Sequence, residues 1–111
     1  MELTVAVLTV AFFGGLGSVV RHWVGSWKCV FPFGILLANS VASFIVGIAV
    51  GQGELELALI SGFAGGLSTF STFASQTFEL WTTRSKALAV LNAALNLVIP
   101  AVLFATAVIL L

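Results

Sequence analysis

Amide, hydroxyl and phenyl side chains recur at close spacing in a chain that is otherwise almost entirely aliphatic. Between Gly62 and Phe73 the sequence reads Gly-Phe-Ala-Gly-Gly-Leu-Ser-Thr-Phe-Ser-Thr-Phe, placing a double glycine and four hydroxyls in twelve residues. On a helix resuming after the glycines, Ser68, Ser71 or Thr72, Ser75 and Glu79 fall along one face, and Phe70 and Phe73 share the adjacent one. Asn39, with Ser43 one turn on, brings an amide to an earlier apolar stretch. Asn92 and Asn96, four residues apart, bring two more to the last. Hydroxyl and amide hydrogens donate to anions, and phenyl rings present a positive edge. A neutral track of this kind suits a small, hard anion that accepts hydrogen bonds. Taking such an ion out of water costs on the order of tens of kcal/mol unless donors replace its hydration along the route. On this reasoning alone chloride or nitrate would serve as well as a smaller halide.

Each feature also has a plain structural reading. The Gly62 to Gly66 spacing is that of closely packed membrane helices. Ser and Thr in such helices often bond their own i−4 carbonyl, and a lone Asn commonly joins two helices. It is the combination within one short string that these readings leave unexplained. Each glycine weakens a helix by about 1 kcal/mol relative to alanine. Unwound backbone at membrane depth persists only inside protein or along a cavity. The sequence therefore predicts a break at Gly65-Gly66, with carbonyls turned inward as small cations are held in such proteins.

The elements that must position these groups follow from composition. Of 111 residues, 60% are hydrophobic and 7% charged, with a mean hydropathy of +1.22. A soluble domain of this size has no way to hide that much apolar surface, so the expectation is an all-α membrane protein. About 20 apolar residues span the hydrocarbon, and four such stretches are predicted: residues 3–23, 31–50, 55–81 and 87–111 of a single domain covering 1–111. The connections between them are short, so any chemistry lies between helices. The first stretch lacks a basic leader and a cleavage site and reads as a retained helix. Pro100 follows Asn96 by four residues and leaves the Asn96 carbonyl without its usual helical donor.

Four basic and four acidic residues leave no net charge and no electrostatic footprint for nucleic acid. The single cysteine, Cys29, allows neither an internal disulfide nor a thiolate metal cluster. Arg21 ends the first helix, either snorkelling to the interface or standing at the mouth of an anion path. His22 is interfacial, and Ser18 with His22 lacks an acidic third partner, so a hydrolase is discounted. Embedded carboxylates for proton relay are missing apart from Glu79 near a helix end. Arg21, Lys28, Arg84 and Lys86 all fall on one side of a four-helix topology. The positive-inside rule then directs both termini outside the plasma membrane.

The run Gly14-Gly15-x-Gly17-x-x-x-Arg21, Asn39, and above all the string from Gly62 to Phe73 resemble the CrcB/Fluc family of fluoride channels. The similarity covers nearly the whole chain. It implies passive fluoride export through an antiparallel dimer with two pores. Carried over, Phe70 and Phe73 would be pore phenylalanines, Asn39 a pore amide, and Ser71 and Thr72 pore hydroxyls, with Arg21 at the vestibule. The Gly65 and Ser68 carbonyls would hold a structural Na⁺ at the dimer interface. There are two departures from the family pattern. Gln76 stands where Glu is common, so a role resting on that carboxylate's charge does not carry over. Asn92 and Asn96 stand where Ser, His or Tyr is usual, and the polar track keeps its donors in another form. The one-sided distribution of Lys and Arg further predicts that an antiparallel mate is an oppositely oriented paralogue, the alternative being a homodimer.

Two other functions fit the length. A small four-helix proton-coupled multidrug exporter would need an acidic residue within helix 1, where only Glu2 at its start is found. A non-conducting subunit packing through its glycine faces would not need the amides or phenyl rings. No constellation supports an enzyme.

Overall fold

The computed structural model describes residues 2–26 and 31–111 and is built of helices: α1 (Leu3–Gly25), α2 (Phe33–Ala49), α3 (Glu54–Leu67), α4 (Ser71–Glu79) and α5 (Lys86–Leu110). Trp27, Lys28 and Cys29 lie outside the described residues. α4 runs on into a π-helical turn, Leu80–Arg84, closed by the Ser85 N–H donating to Leu80 O at 2.8 Å. Ser85 then turns extended, and its hydroxyl caps α5 by accepting from the Leu88 N–H. α1, the passage Glu54–Arg84 and α5 are long and apolar enough to cross a membrane, and α2 is a shorter apolar helix. The chain is a multi-pass, all-helical membrane protein, with α3 and α4 forming one interrupted passage between α2 and α5.

Its packing inverts that of a soluble domain. Buried positions are dominated by small residues, among them Ala38, Ala42, Ala49, Ala64, Ala89 and Ala107, while Leu3, Phe12, Trp23, Leu97 and Ile109 face outward. Lipid is as apolar as leucine, so burying large side chains gains little; close backbone approach and its dispersion contacts drive association instead. Glycine provides that approach where α1 crosses α3. A Cβ at Gly17 would strike the Phe63 carbonyl, one at Gly66 would strike the Gly14 carbonyl, and one at Gly62 would come within 2.9 Å of Val10 Cα. At the α2–α5 contact, a Cβ on Gly47 would lie 2.7 Å from Ala107 Cβ.

The break expected at Gly65-Gly66 is corrected by this arrangement. α3 continues through both glycines to Leu67, and the non-helical residues are Ser68, Thr69 and Phe70. Gly66 is glycine because α1 lies against it. The interruption falls where side-chain acceptors compete for backbone N–H groups. Ser68 accordingly lies ahead of α4, off the face that carries Ser71, Ser75 and Glu79.

Gly66→Ala is expected to cost about 1–3 kcal/mol, the price of overpacking a tight contact. Gly15→Ala, where a Cβ meets nothing within 4 Å, is expected to leave stability unchanged or raise it by up to about 1 kcal/mol. Thermal unfolding of the two variants in detergent checks the contrast.

Candidate functional site

The interruption is held by one side chain of α2. Asn39 Oδ1 accepts the Thr69 N–H at 2.8 Å, and Asn39 Nδ2 donates back to Thr69 O at 3.3 Å. In an uninterrupted helix the Thr69 N–H would go to Gly65 O and the Thr72 N–H to Ser68 O. Here Asn39 Oδ1 takes the first, and Thr69 Oγ1 takes the second at 3.2 Å. Among the carbonyls that lose their helical donors at the interruption are those of Gly65 and Ser68. Gly65 is exposed, with no heavy atom within 4 Å of where a Cβ would stand.

From Asn39 the hydrogen bonds continue into α5. Asn39 Nδ2 donates to Asn96 Oδ1 at 3.1 Å. Asn96 Nδ2 donates to Asn92 Oδ1 at 3.0 Å and to the Asn92 carbonyl at 2.9 Å. Asn92 Nδ2 donates to Thr77 Oγ1, and the Thr77 hydroxyl donates to Phe73 O, each at 2.8 Å. Asn92 is 1% exposed and is the largest fully buried side chain among the described residues. Without these partners an amide in that position would cost several kcal/mol.

Two cavities flank this core. One, of about 380 Å³, is lined by Asn39, Ser43, Ser68, Thr69, Phe70, Phe73 and Asn96, with Ala93, Leu97 and Pro100. Phe70 and Phe73 stand with ring centroids 5.9 Å apart, tilted by 55°, and Phe70 is 78% exposed. The other, of about 360 Å³, gathers Arg21, His22, Gly25, Ser26 and Ile35 with Thr72 and Gln76 of α4. Gln76 Oε1 is closed off from solvent and accepts no hydrogen bond among the described residues. A positive side chain, a hydroxyl and an amide thus share one cavity, and amides, hydroxyls and phenyl rings share the other.

A family model described as CrcB-like protein, Camphor Resistance (CrcB), matches residues 8–108. The chain belongs to the CrcB family. Among its curated relatives are proteins from Pyrococcus abyssi, 40% identical over 78% of this chain and 79% of the relative, and Thermococcus onnurineus, 38% identical over 83% and 84%. A third, from Rhizobium johnstonii, is 37% identical over 69% and 72%. Each bears the name Fluoride-specific ion channel FluC.

Against this CrcB framework, the residues singled out from sequence separate into groups. Asn39, Asn96, Phe70, Phe73 and Ser68 meet at one cavity, and Arg21 and Thr72 at the other. Ser71 is exposed at the first residue of α4. Asn92 stands apart in the core, with its amide committed to Thr77 and Asn96. Ser18 donates to its own i−4 carbonyl on Gly14 at 3.0 Å, the ordinary use of a hydroxyl in a membrane helix. Sequence reasoning passed over Thr77. Its only mark was a hydroxyl four residues after Phe73 and one helix away from an asparagine pair.

Asn92→Ala is expected to lower stability by about 2 kcal/mol or more, since it deprives Thr77 and Asn96 of buried partners and leaves a cavity. Thr106→Ala, which removes an exposed hydroxyl bonded only to Val102 O, should stay within about 0.5 kcal/mol. Denaturant unfolding in mixed micelles measures both.

Proposed function

We propose that this chain is a subunit of a fluoride-selective channel that lets fluoride leave the cell passively across the plasma membrane and so relieves its toxicity. The observation that carries the reading is membership of the CrcB family together with relatives that bear a fluoride-channel name over most of their length. The chemistry of the site supports it. A small anion shedding water needs donors at each step, and Arg21, Thr72 and Gln76 at one cavity, then Asn39, Ser43 and Asn96 at the other, offer them. The phenyl rings of Phe70 and Phe73 add positive edges between hydroxyls without adding a charge that would trap the ion. Ser71 joins the same path from the exposed start of α4. Arg21 attracts anions at the vestibule. Asn92 contributes from behind, through Asn96. Such a protein is an ion channel and no enzyme.

The working unit in this reading is an antiparallel dimer. Phe70 and the Gly65 face are open in a single chain, as expected if a second subunit completes the path. All Lys and Arg lie on the side of the α1–α2 and α4–α5 connections, so this chain inserts with both termini outside and its mate is an oppositely oriented paralogue. The Gly65 and Ser68 carbonyls, deprived of helical donors, are hard oxygen ligands of the kind that hold Na⁺. The ion would supply structural charge at the subunit contact, with this chain contributing backbone oxygen alone.

Reconstitution into liposomes tests the function. With the required partner present, wild type should release fluoride and retain chloride, whereas Phe70→Ile and Asn39→Ala should lose at least about tenfold of the flux, each removing a group worth ~1.4 kcal/mol or more to the ion in transit. Vesicles that stay fluoride-tight with both subunits present would refute the reading. Cysteine-accessibility mapping should find the termini on the outer face only; an equal population of both orientations would remove the need for a paralogue.

A further inference from the structure

The hydrogen-bonded chain that leaves the interrupted passage at Thr69 returns to it at Phe73. Its two ends are backbone groups of fixed character: an N–H that only donates and a carbonyl that only accepts. Those ends dictate the direction of everything between them. Asn39 must turn its oxygen to Thr69, so its NH₂ faces Asn96. Asn96 then presents oxygen to Asn39 and NH₂ to Asn92, and Asn92 presents NH₂ to Thr77, whose hydroxyl hydrogen is left for Phe73 O. Reversing any one amide sets oxygen against oxygen or NH₂ against NH₂. A series aligned head to tail also strengthens each of its bonds by polarisation.

We infer that Asn96, Asn92 and Thr77 are positioning residues: they lock the Asn39 amide in the orientation that captures the Thr69 N–H, and so keep Ser68–Phe70 out of the helix. The lock reaches from α4 through α5 to α2, and of these α2 and α5 also meet where Gly47 lies against Ala107. It is anchored out of reach of water, because Asn92 is buried at 1% exposure. Thr77 lines neither cavity itself, yet its hydroxyl, bonded to Phe73 O, is the terminal anchor of the series. Without that oxygen, Asn92 Nδ2 has no acceptor, the amide is free to turn, and the constraint on Asn96 and Asn39 goes with it. What the lock serves rests on the proposed ion path, since Phe70 ends the segment it holds and Phe73 follows within one turn; the lock itself does not depend on which ion passes.

Thr77→Val removes the hydroxyl at nearly constant volume, and Thr77→Ser keeps it. Both would be compared with wild type in the full chain with its partner subunit, in nanodiscs, by hydrogen–deuterium exchange and by fluoride efflux. Thr77→Val should speed exchange in the peptide covering 68–73 by about tenfold, as the loss of one shared buried bond implies, while exchange across residues 10–17 of α1 stays at the wild-type rate. Fluoride flux should fall with it, and Thr77→Ser should restore both. Asn92→Ala, which cuts the series one link further in, should reproduce the local exchange change and serves if Thr77→Val does not accumulate. Unchanged exchange at 68–73, an increase spread evenly over the chain, or a Thr77→Ser variant as impaired as Thr77→Val would overturn the inference. A wild type that passes no fluoride while the exchange pattern follows expectation would instead sink the functional reading and leave the lock standing.

Discussion

A competition for a single backbone hydrogen underlies the rest of this structure. The Thr69 N–H can close another helical turn onto Gly65 O or bond to Asn39 Oδ1, and it does the second. In hydrocarbon a backbone donor must be satisfied somewhere, so the turn opens only because a side chain from a neighbouring helix offers an equally good acceptor. Asn39 also returns an N–H to the Thr69 carbonyl, and so satisfies both polar groups of that residue. Thr69 Oγ1 repeats the manoeuvre for the Thr72 N–H. Two side-chain oxygens thereby open three residues of backbone inside a bundle held together mainly by glycine and alanine.

That exchange ties architecture to chemistry. Carbonyls of the opened segment are released from helical pairing. The residues just after them, Phe70 and Phe73, lie at a cavity lined also by amides, hydroxyls and the apolar Ala93, Leu97 and Pro100. Among the described residues no acid or base lines that cavity. The fixed dipoles of its amides act in a medium of low dielectric, where they count for more than they would in water. Arg21 stands at the other cavity, beside His22 and Gln76.

Membrane packing explains why such a network sits in so small a chain. Glycine contacts between α1 and α3 and between α2 and α5 bring backbones close enough that short side chains bridge from helix to helix. Longer side chains would have reached the same partners only from more widely separated helices, with more rotamer freedom lost on ordering. Asparagine is compact, has both a donor and an acceptor, and fits between closely packed passages. Using it three times in series gives a polar core that is internally satisfied, a requirement the bilayer enforces more strictly than water does.

Much of this was legible from residues alone. The apolar stretches, the short connections between them and the polar string from Ser68 to Phe73 depend on composition and spacing, which the chain carries locally, and they pointed to a helical membrane protein with its chemistry between helices. The glycines were legible as tight-packing positions, but whether Gly66 served packing or a break depended on what lay against it, and only the crossing of α1 settled that in favour of packing. The asparagines were legible as polar groups needing partners. Which partner each takes is a fact about distance between helices that are far apart in sequence: Asn39 and Asn96 are 57 residues apart yet share a hydrogen bond. For the same reason Thr77 was invisible as anything more than a hydroxyl on a helix. Local sequence determines which groups must be satisfied in oil; the tertiary fold decides which group satisfies which, and so where the helix opens.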